Sequence, residues 1–148
     1  MTYSNQAVAN YINDNLVPYI ASMGDRSAWP LFRANHVIWT PSAGLADHKG
    51  SIHHLSVGFS PPSDFLSALR IGRARCMMAW MRYGEAIQEL EQAAASANSM
   101  VPEALFWLAT VYYFDERDTV RMYAIWDKLA TLYPDSPWAR HTYPPPSD

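Results

Sequence analysis

The stretch HVIWTPSAGLADHKGSIHHLSVGFSPPSDFL, His36 to Leu66, runs through an extended segment, a turn, a second extended segment and a helix start. "PSAGLAD" reads as a strand, "HKG" as a turn and "SIHHLSVG" as the returning strand. So short a turn predicts an antiparallel hairpin. Thr40-Pro41 stands at the entry to the first strand. A proline there lacks a ladder donor, which confines it to an edge or an entry position. Beyond the hairpin, Ser60 is placed to cap a helix, with Pro61 at the first helical position, where a missing N–H costs nothing.

From that helix start onward the pattern is helical. Phe65, Leu69, Cys76 and Trp80 keep one face of a helix from roughly Pro62 to Arg82. "GEAIQELEQAAASA" follows as a second helix, with Ile87, Leu90, Ala94 and Ala97 inward and Glu85, Glu89 and Glu91 on an exposed face. "VPEALFWLATVYYF" makes a third, opened by proline. "DTVRMYAIWDKLATLY" makes a fourth, capped by Asp118 or Thr119 and stopped by Pro134, with "FDERDTVR" as a solvated loop before it. The two helix pairs repeat at a period of roughly 34–36 residues, and Ala86 and Met122 take equivalent positions.

On the other side of the hairpin, "SNQAVANYINDNL" carries helical spacing at Ala7, Val8, Tyr11, Ile12 and Leu16, with Ser4 as N-cap. "VPYIAS" reads as a short strand and "GDRSAWPLFRANH" as a short helix broken at Pro30. The fold class expected is α+β and mostly helical. It divides into a sheet-bearing half over 1–60, a helical half over 61–140 and a loose tail over 141–148 with three prolines in an extended run.

Bulk composition removes several classes of function. With 49% apolar and 17% charged residues in 148, the chain has ample material for a core and is not disordered. Net charge is −3 and the eleven Lys and Arg are scattered, so no nucleic-acid partner is expected. Cys76 stands alone, which excludes an internal disulfide, a C-x-x-C motif and a cysteine-based zinc site. No run approaches the ~18–20 apolar residues of a spanning helix, and the first residues lack a signal-peptide pattern. No membrane insertion and a cytoplasmic location are expected.

The order helix, strand, broken helix, Thr-Pro, hairpin and helix resembles a thioredoxin-like domain entered after its first strand. "VANYINDNLVPYIA" looks like the segment after the redox helix, and "WTPSAGLADHKGSIHHLSVGFSPPSDFLSAL" like the family's cis-proline strand, terminal hairpin and last helix. The continuation to "YPDSPWAR" resembles bacterial proteins that join such a domain to a short tetratricopeptide tail. The likeness runs from about Val8 to Arg140. It implies that Pro41 is the cis-proline, which in redox-active relatives faces the two cysteines. The strand and W-C-x-x-C turn that the resemblance places before Ser4 are not in this sequence, so no disulfide exchange is expected. The missing strand would lie between "VPYIAS" and "SAGLAD", and its loss leaves edges that another copy or another protein must cover.

Among single residues, His48, His53 and His54 beside Asp47 raise a metal reading. Two histidines and a carboxylate suffice for zinc or iron, but His53 and His54 leave a strand on opposite faces and no known ligand spacing is met. A hairpin with polar residues on its solvent side is expected instead, with no metal and no cofactor. Cys76, among Met77, Met78 and Trp80, reads as a buried structural thiol. The six Trp and nine Tyr are the stronger signal. Doublets such as Phe106-Trp107 and Tyr112-Tyr113 cannot both turn inward on one helix, and aromatics left at a surface favour interfaces.

The expected function is therefore a non-catalytic interaction or scaffold subunit, a homodimer or part of a complex. Phe106, Trp107, Tyr112, Tyr113 and Trp126 are its partner-binding residues. The rival is an enzyme or a thiol or metal binder using a cleft beside Pro41, lined by Trp39, Thr40, His53 and His54. A thioredoxin-like half followed by helices is also the layout of glutathione transferases, an analogy of fold alone.

Overall fold

The computed structural model describes residues 2–142. Its anchor is helix α3, Pro62–Ala79, against which α1, the hairpin, α4 and α5 are laid. Buried side chains emerge from both of its sides. Phe65 and Leu69 meet Val8 and Tyr11 of α1 (Gln6–Asn15) and Leu45 of the hairpin. Ile71, Ala74 and Met77 meet Ala86, Leu90 and Ala93 of α4 (Tyr83–Ala94) and Ala104, Leu108 and Val111 of α5 (Val101–Glu116). Val101 and Leu105 continue the core to Leu129 of α6 (Thr119–Leu132), and the short α7, Pro137–Arg140, closes that end. Sequential helices thus pack as neighbours, α3 on α4, α4 on α5 and α5 on α6.

The hairpin joins β1, Ser42–Ala46, to β2, Ile52–Val57, in antiparallel register with Leu45 opposite His54 and a bulge at Ala46. The Thr40–Pro41 peptide is cis. One face of the hairpin lies against α3. There Gly72 matters, because a Cβ at that position would come within 3.0 Å of the His54 Cβ and 3.1 Å of the Leu45 Cβ. With seven α-helices and this one small sheet among the described residues, the fold is α+β and mostly helical.

The turns of the two helix pairs are alike in the backbone. Each helix pair turns through one left-handed residue, Met81 between α3 and α4 and Arg117 between α5 and α6, 36 positions apart. Ala86 and Met122, also 36 apart, are both buried.

Several local expectations need correction. "VPYIAS" forms no strand, and Val17 and Ile20 are 97% and 93% exposed. The sheet has only two strands among the described residues, so nothing is there to pair with that segment. Its neighbours fare little better: among the described helices and strands α2, Trp29–Ala34, packs only on the 3₁₀ turn Arg26–Ala28 that leads into it, with Pro30 in its first turn and Trp29 Nε1 donating back to the Met23 carbonyl. Helix α1 is capped by Asn5, whose side chain accepts from the Ala7 and Val8 amides, and Ser4 lies in the turn before it. Pro61 occupies the N-cap of α3 and Pro62 its first turn, one residue later than expected. "FDERDTVR" is no loop, since α5 continues to Glu116 and Asp118 already caps α6 by accepting from the Arg121 amide at 2.8 Å. Of the expected loose tail, His141 and Thr142 are described, Thr142 buried with its hydroxyl donating to the Ala139 carbonyl, while 143–148 lie outside the described residues.

Candidate functional site

Three places in the molecule gather polar or aromatic side chains. The first is the junction of the hairpin with α3 and α5. His54 points inward from β2, its side chain only 9% exposed, with Arg75 Nη1 donating to its Nδ1 at 3.4 Å and Glu103 Oε1 at 3.6 Å. Trp107 Nε1 donates to Glu103 at 3.3 Å, and the Arg75 cation stands 4.6 Å over the Trp107 ring. Burial, followed by the nearby Arg75 charge, pushes His54 down to about 4, so it is neutral at physiological pH and accepts from Arg75. Burial also raises the Glu103 carboxyl, against the opposing pull of Trp107 and Arg75. The His54–Glu103 approach is therefore no ion pair at neutral pH.

His53 leaves the strand the other way, as period-2 geometry requires. Its Nε2 donates to Asp47 at 3.0 Å, and Trp80 Nε1 donates to the same carboxylate oxygen at 3.2 Å. These bonds, that of His53 first, hold Asp47 well below the usual carboxylate range. His48 packs on Trp80 instead, ring centroids 4.3 Å apart. The three histidines thus diverge, and no group of three His, Cys, Asp or Glu able to hold a metal gathers among the described residues. Cys76 is half-buried, and burial and then Asp47 raise its thiol, with Arg75 acting against them.

The second place was read wrongly from sequence. Glu89 is not on an exposed face but buried, where it accepts from Tyr11 at 2.9 Å, from Arg70 at 3.0 Å and from Arg73. It ties α1, α3 and α4 together. Its spacing with Ala86, Leu90 and Ala93 on one helical stripe was the signal that could have placed it inward.

The third place is the aromatic region of α5. All five residues expected to bind a partner are half-buried. Phe106 stacks on Trp126 at 6.2 Å and meets Trp138 at 5.2 Å, so it belongs to the seam between α5, α6 and α7. Trp107 is held by Arg75, Glu103 and Trp138. Tyr112 donates to Glu91 at 3.1 Å under the Arg121 cation. Both members of each doublet find neighbours because α5 is covered by α3 and α4 on one side and by α6 and α7 on the other. Tyr113 and Trp126, with Thr110, Thr119, Met122 and Tyr123, line an open groove of about 460 Å³ between α5 and α6.

Comparison with protein-family models, with curated proteins and with solved structures returns no match.

The residues grouped around Pro41 do not converge. Pro41 is paired across the hairpin with Gly58, whose amide donates to its carbonyl at 2.8 Å. His53 and His54 lie four to five residues farther along β2, at least about 13 Å of strand away. Beside Pro41 lies a notch of about 10 Å³, lined by neither His53 nor His54. What that end of the hairpin does offer is apolar surface: Ile38 is 89% exposed, Trp39 66%, Val57 59% and Phe59 88%. The hairpin's outer face was expected to be polar and instead presents Leu55 and Val57. An "I-H-H-L-S-V" strand alternates in either direction, and packing on α3, where Gly72 leaves room for the His54 and Leu45 Cβ atoms, goes with His54 inward.

Proposed function

We propose that the chain is a non-catalytic interaction subunit that docks protein through its N-terminal half. One observation carries this reading. Of seventeen large hydrophobic side chains exposed among the described residues, eleven precede residue 60, on the 17–39 segment and around the hairpin. Large exposed apolar side chains in such number, where they gather on the surface, mark a site that a partner covers. The expensive exposure of Val17, Ile20, Ile38 and Phe59 is relieved when a partner covers them.

The chemistry of the polar clusters agrees. His54, Arg75, Glu103 and Trp107 satisfy one another, and the lone thiol of Cys76 is raised, not activated. The likeness to thioredoxin-like domains fits an architecture whose redox half serves as a platform, and the 36-residue helix-turn-helix repeat fits a tetratricopeptide-like support for it. The docking surface we favour lies at the hairpin end and not on α5, because Phe106, Trp107 and Tyr112 are engaged by neighbouring helices and Tyr113 and Trp126 offer only the open groove between α5 and α6.

The test is purification of the tagged chain under native conditions, beside Ile20→Lys and Ile38→Lys. Wild type is expected to bring a stoichiometric companion, either another protein or an untagged copy. Both variants should lose it while keeping far-UV circular dichroism and a urea midpoint within the small range of surface substitutions. Wild type recovered alone, or variants that unfold, would remove this function.

A further inference from the structure

We infer that the exposed hairpin end (Ile38, Trp39, Leu55, Val57 and Phe59) is a self-association surface, and that, granting the chain is an interaction protein, its occupant is the same surface of a second copy. The register brings together the two chain segments that carry these residues. Gly58 bonds to Pro41, so residues 38 and 39 flank the same end as Phe59, while Leu55 and Val57 share the face opposite His54 and α3. A two-stranded sheet with one open face is marginal in water, and it gains most from strands or a second layer supplied by a partner.

Edge chemistry points the same way. The Gly58–Pro41 bond marks a hydrogen-bonded pair, so by alternation Ser42–Val57 and Gly44–Leu55 turn their N–H and C=O groups outward. Among the described residues no backbone bond from these outward groups to another segment is found. Neither strand carries Lys, Arg, Asp, Glu or Pro, the residues that ordinarily blunt an open edge.

The charge of this surface selects a second copy as occupant. An isologous interface sets a surface against its own image, so a charged face would repel itself. From Leu16 to Ala46 only Asp25, Arg26 and Arg33 are charged, and from Ser51 to Ser63 no Lys, Arg, Asp or Glu occurs. The surface can therefore meet its image without like charges opposed.

Sedimentation and light scattering of the full chain at micromolar concentration test this. Wild type should run at twice 16.8 kDa. Leu55→Lys and Val57→Lys should each weaken the dimer at least roughly tenfold with helix content retained, whereas Leu132→Lys, at an exposed site on α6, should not. A dimer indifferent to both hairpin variants, or equally sensitive to Leu132→Lys, overturns the surface. If the hairpin variants do not fold, hydrogen exchange on wild type decides: Leu55 and Val57 amides must exchange more slowly in concentrated than in dilute protein, and equal rates overturn the inference. A wild-type monomer carrying a different protein in fixed ratio overturns the second copy alone and leaves the interaction function standing. A wild-type monomer recovered alone removes both.

Discussion

At the scale of single residues, the buried polar groups decide how the chain responds to its surroundings. His54 is held near 4 by burial and Arg75, against about 6.5 in an unfolded chain. Between those values the unfolded state binds more protons, so stability is fully present above about pH 6.5 and falls as pH drops toward 4. The difference amounts to about 3 kcal/mol at the acid end. Glu103 works the other way, because its raised carboxyl takes up a proton in the folded state first and so favours the fold on acidification. The net acid loss should thus be smaller than His54 alone would give. Urea unfolding of wild type and His54→Gln at intervals from pH 7 to pH 4 checks this. The wild-type curve should be the steeper, and equal slopes would mean that His54 is solvated in the folded chain. Glu89 illustrates a different lesson. Three donors from α1 and α3 converge on one carboxylate, and a glutamate read from composition as solvent-facing turns out to be a buried tie between three helices.

At the scale of elements, close approach of helix to hairpin fixes which side of β2 is inside. Gly72 permits it. Replacing that glycine by alanine in a helix interior would ordinarily gain up to about 1 kcal/mol in propensity. Here the added Cβ meets the Cβ atoms of His54 and Leu45 at 3.0 and 3.1 Å, atoms fixed to the backbone that cannot swing away. Overpacking costs of about 1–3 kcal/mol should win, so Gly72→Ala is expected to lower stability by about 1 kcal/mol, read from the denaturant midpoint. A rise in midpoint would show that the hairpin rides loosely on α3. The same contact explains what the sequence could and could not reveal. Helices α3 to α6 were legible within a few residues because their apolar spacing, prolines and the Asp118 cap are local signals. The hairpin was legible from its turn. The face it presents was not, since Ile52, Leu55 and Val57 alternate with His and Ser in a way that suits either face, and the arbiter lies some twenty residues away. The burial of the aromatic doublets of α5 was not legible for a related reason: how many rings a helix can bury depends on how many neighbours surround it, which the packing order α3 to α7 settles.

At the scale of the whole molecule, the distribution of exposed apolar side chains is lopsided. The helical half encloses most of its large residues, while the segment from Val17 to Trp39 and the hairpin end turn theirs to solvent. An interaction that relieves this exposure binds the folded chain and not the unfolded one, so it must couple to stability by mass action. For a dimer that unfolds to two separate chains, a tenfold rise in protein concentration adds about 0.7 kcal/mol per chain at the midpoint. For a domain of this size that corresponds to a Tm increase of roughly 2–3 °C. Calorimetric or fluorescence melts over a hundredfold range of concentration should therefore shift upward by about 5 °C in wild type. Val57→Lys should shift less than wild type over the same range, and at the low-concentration limit it should coincide with wild type, because Val57 is 59% exposed within the chain and contributes little to its core. Concentration-independent melting of wild type would mean that the apolar hairpin end stays uncovered by its own kind, whatever else the chain binds.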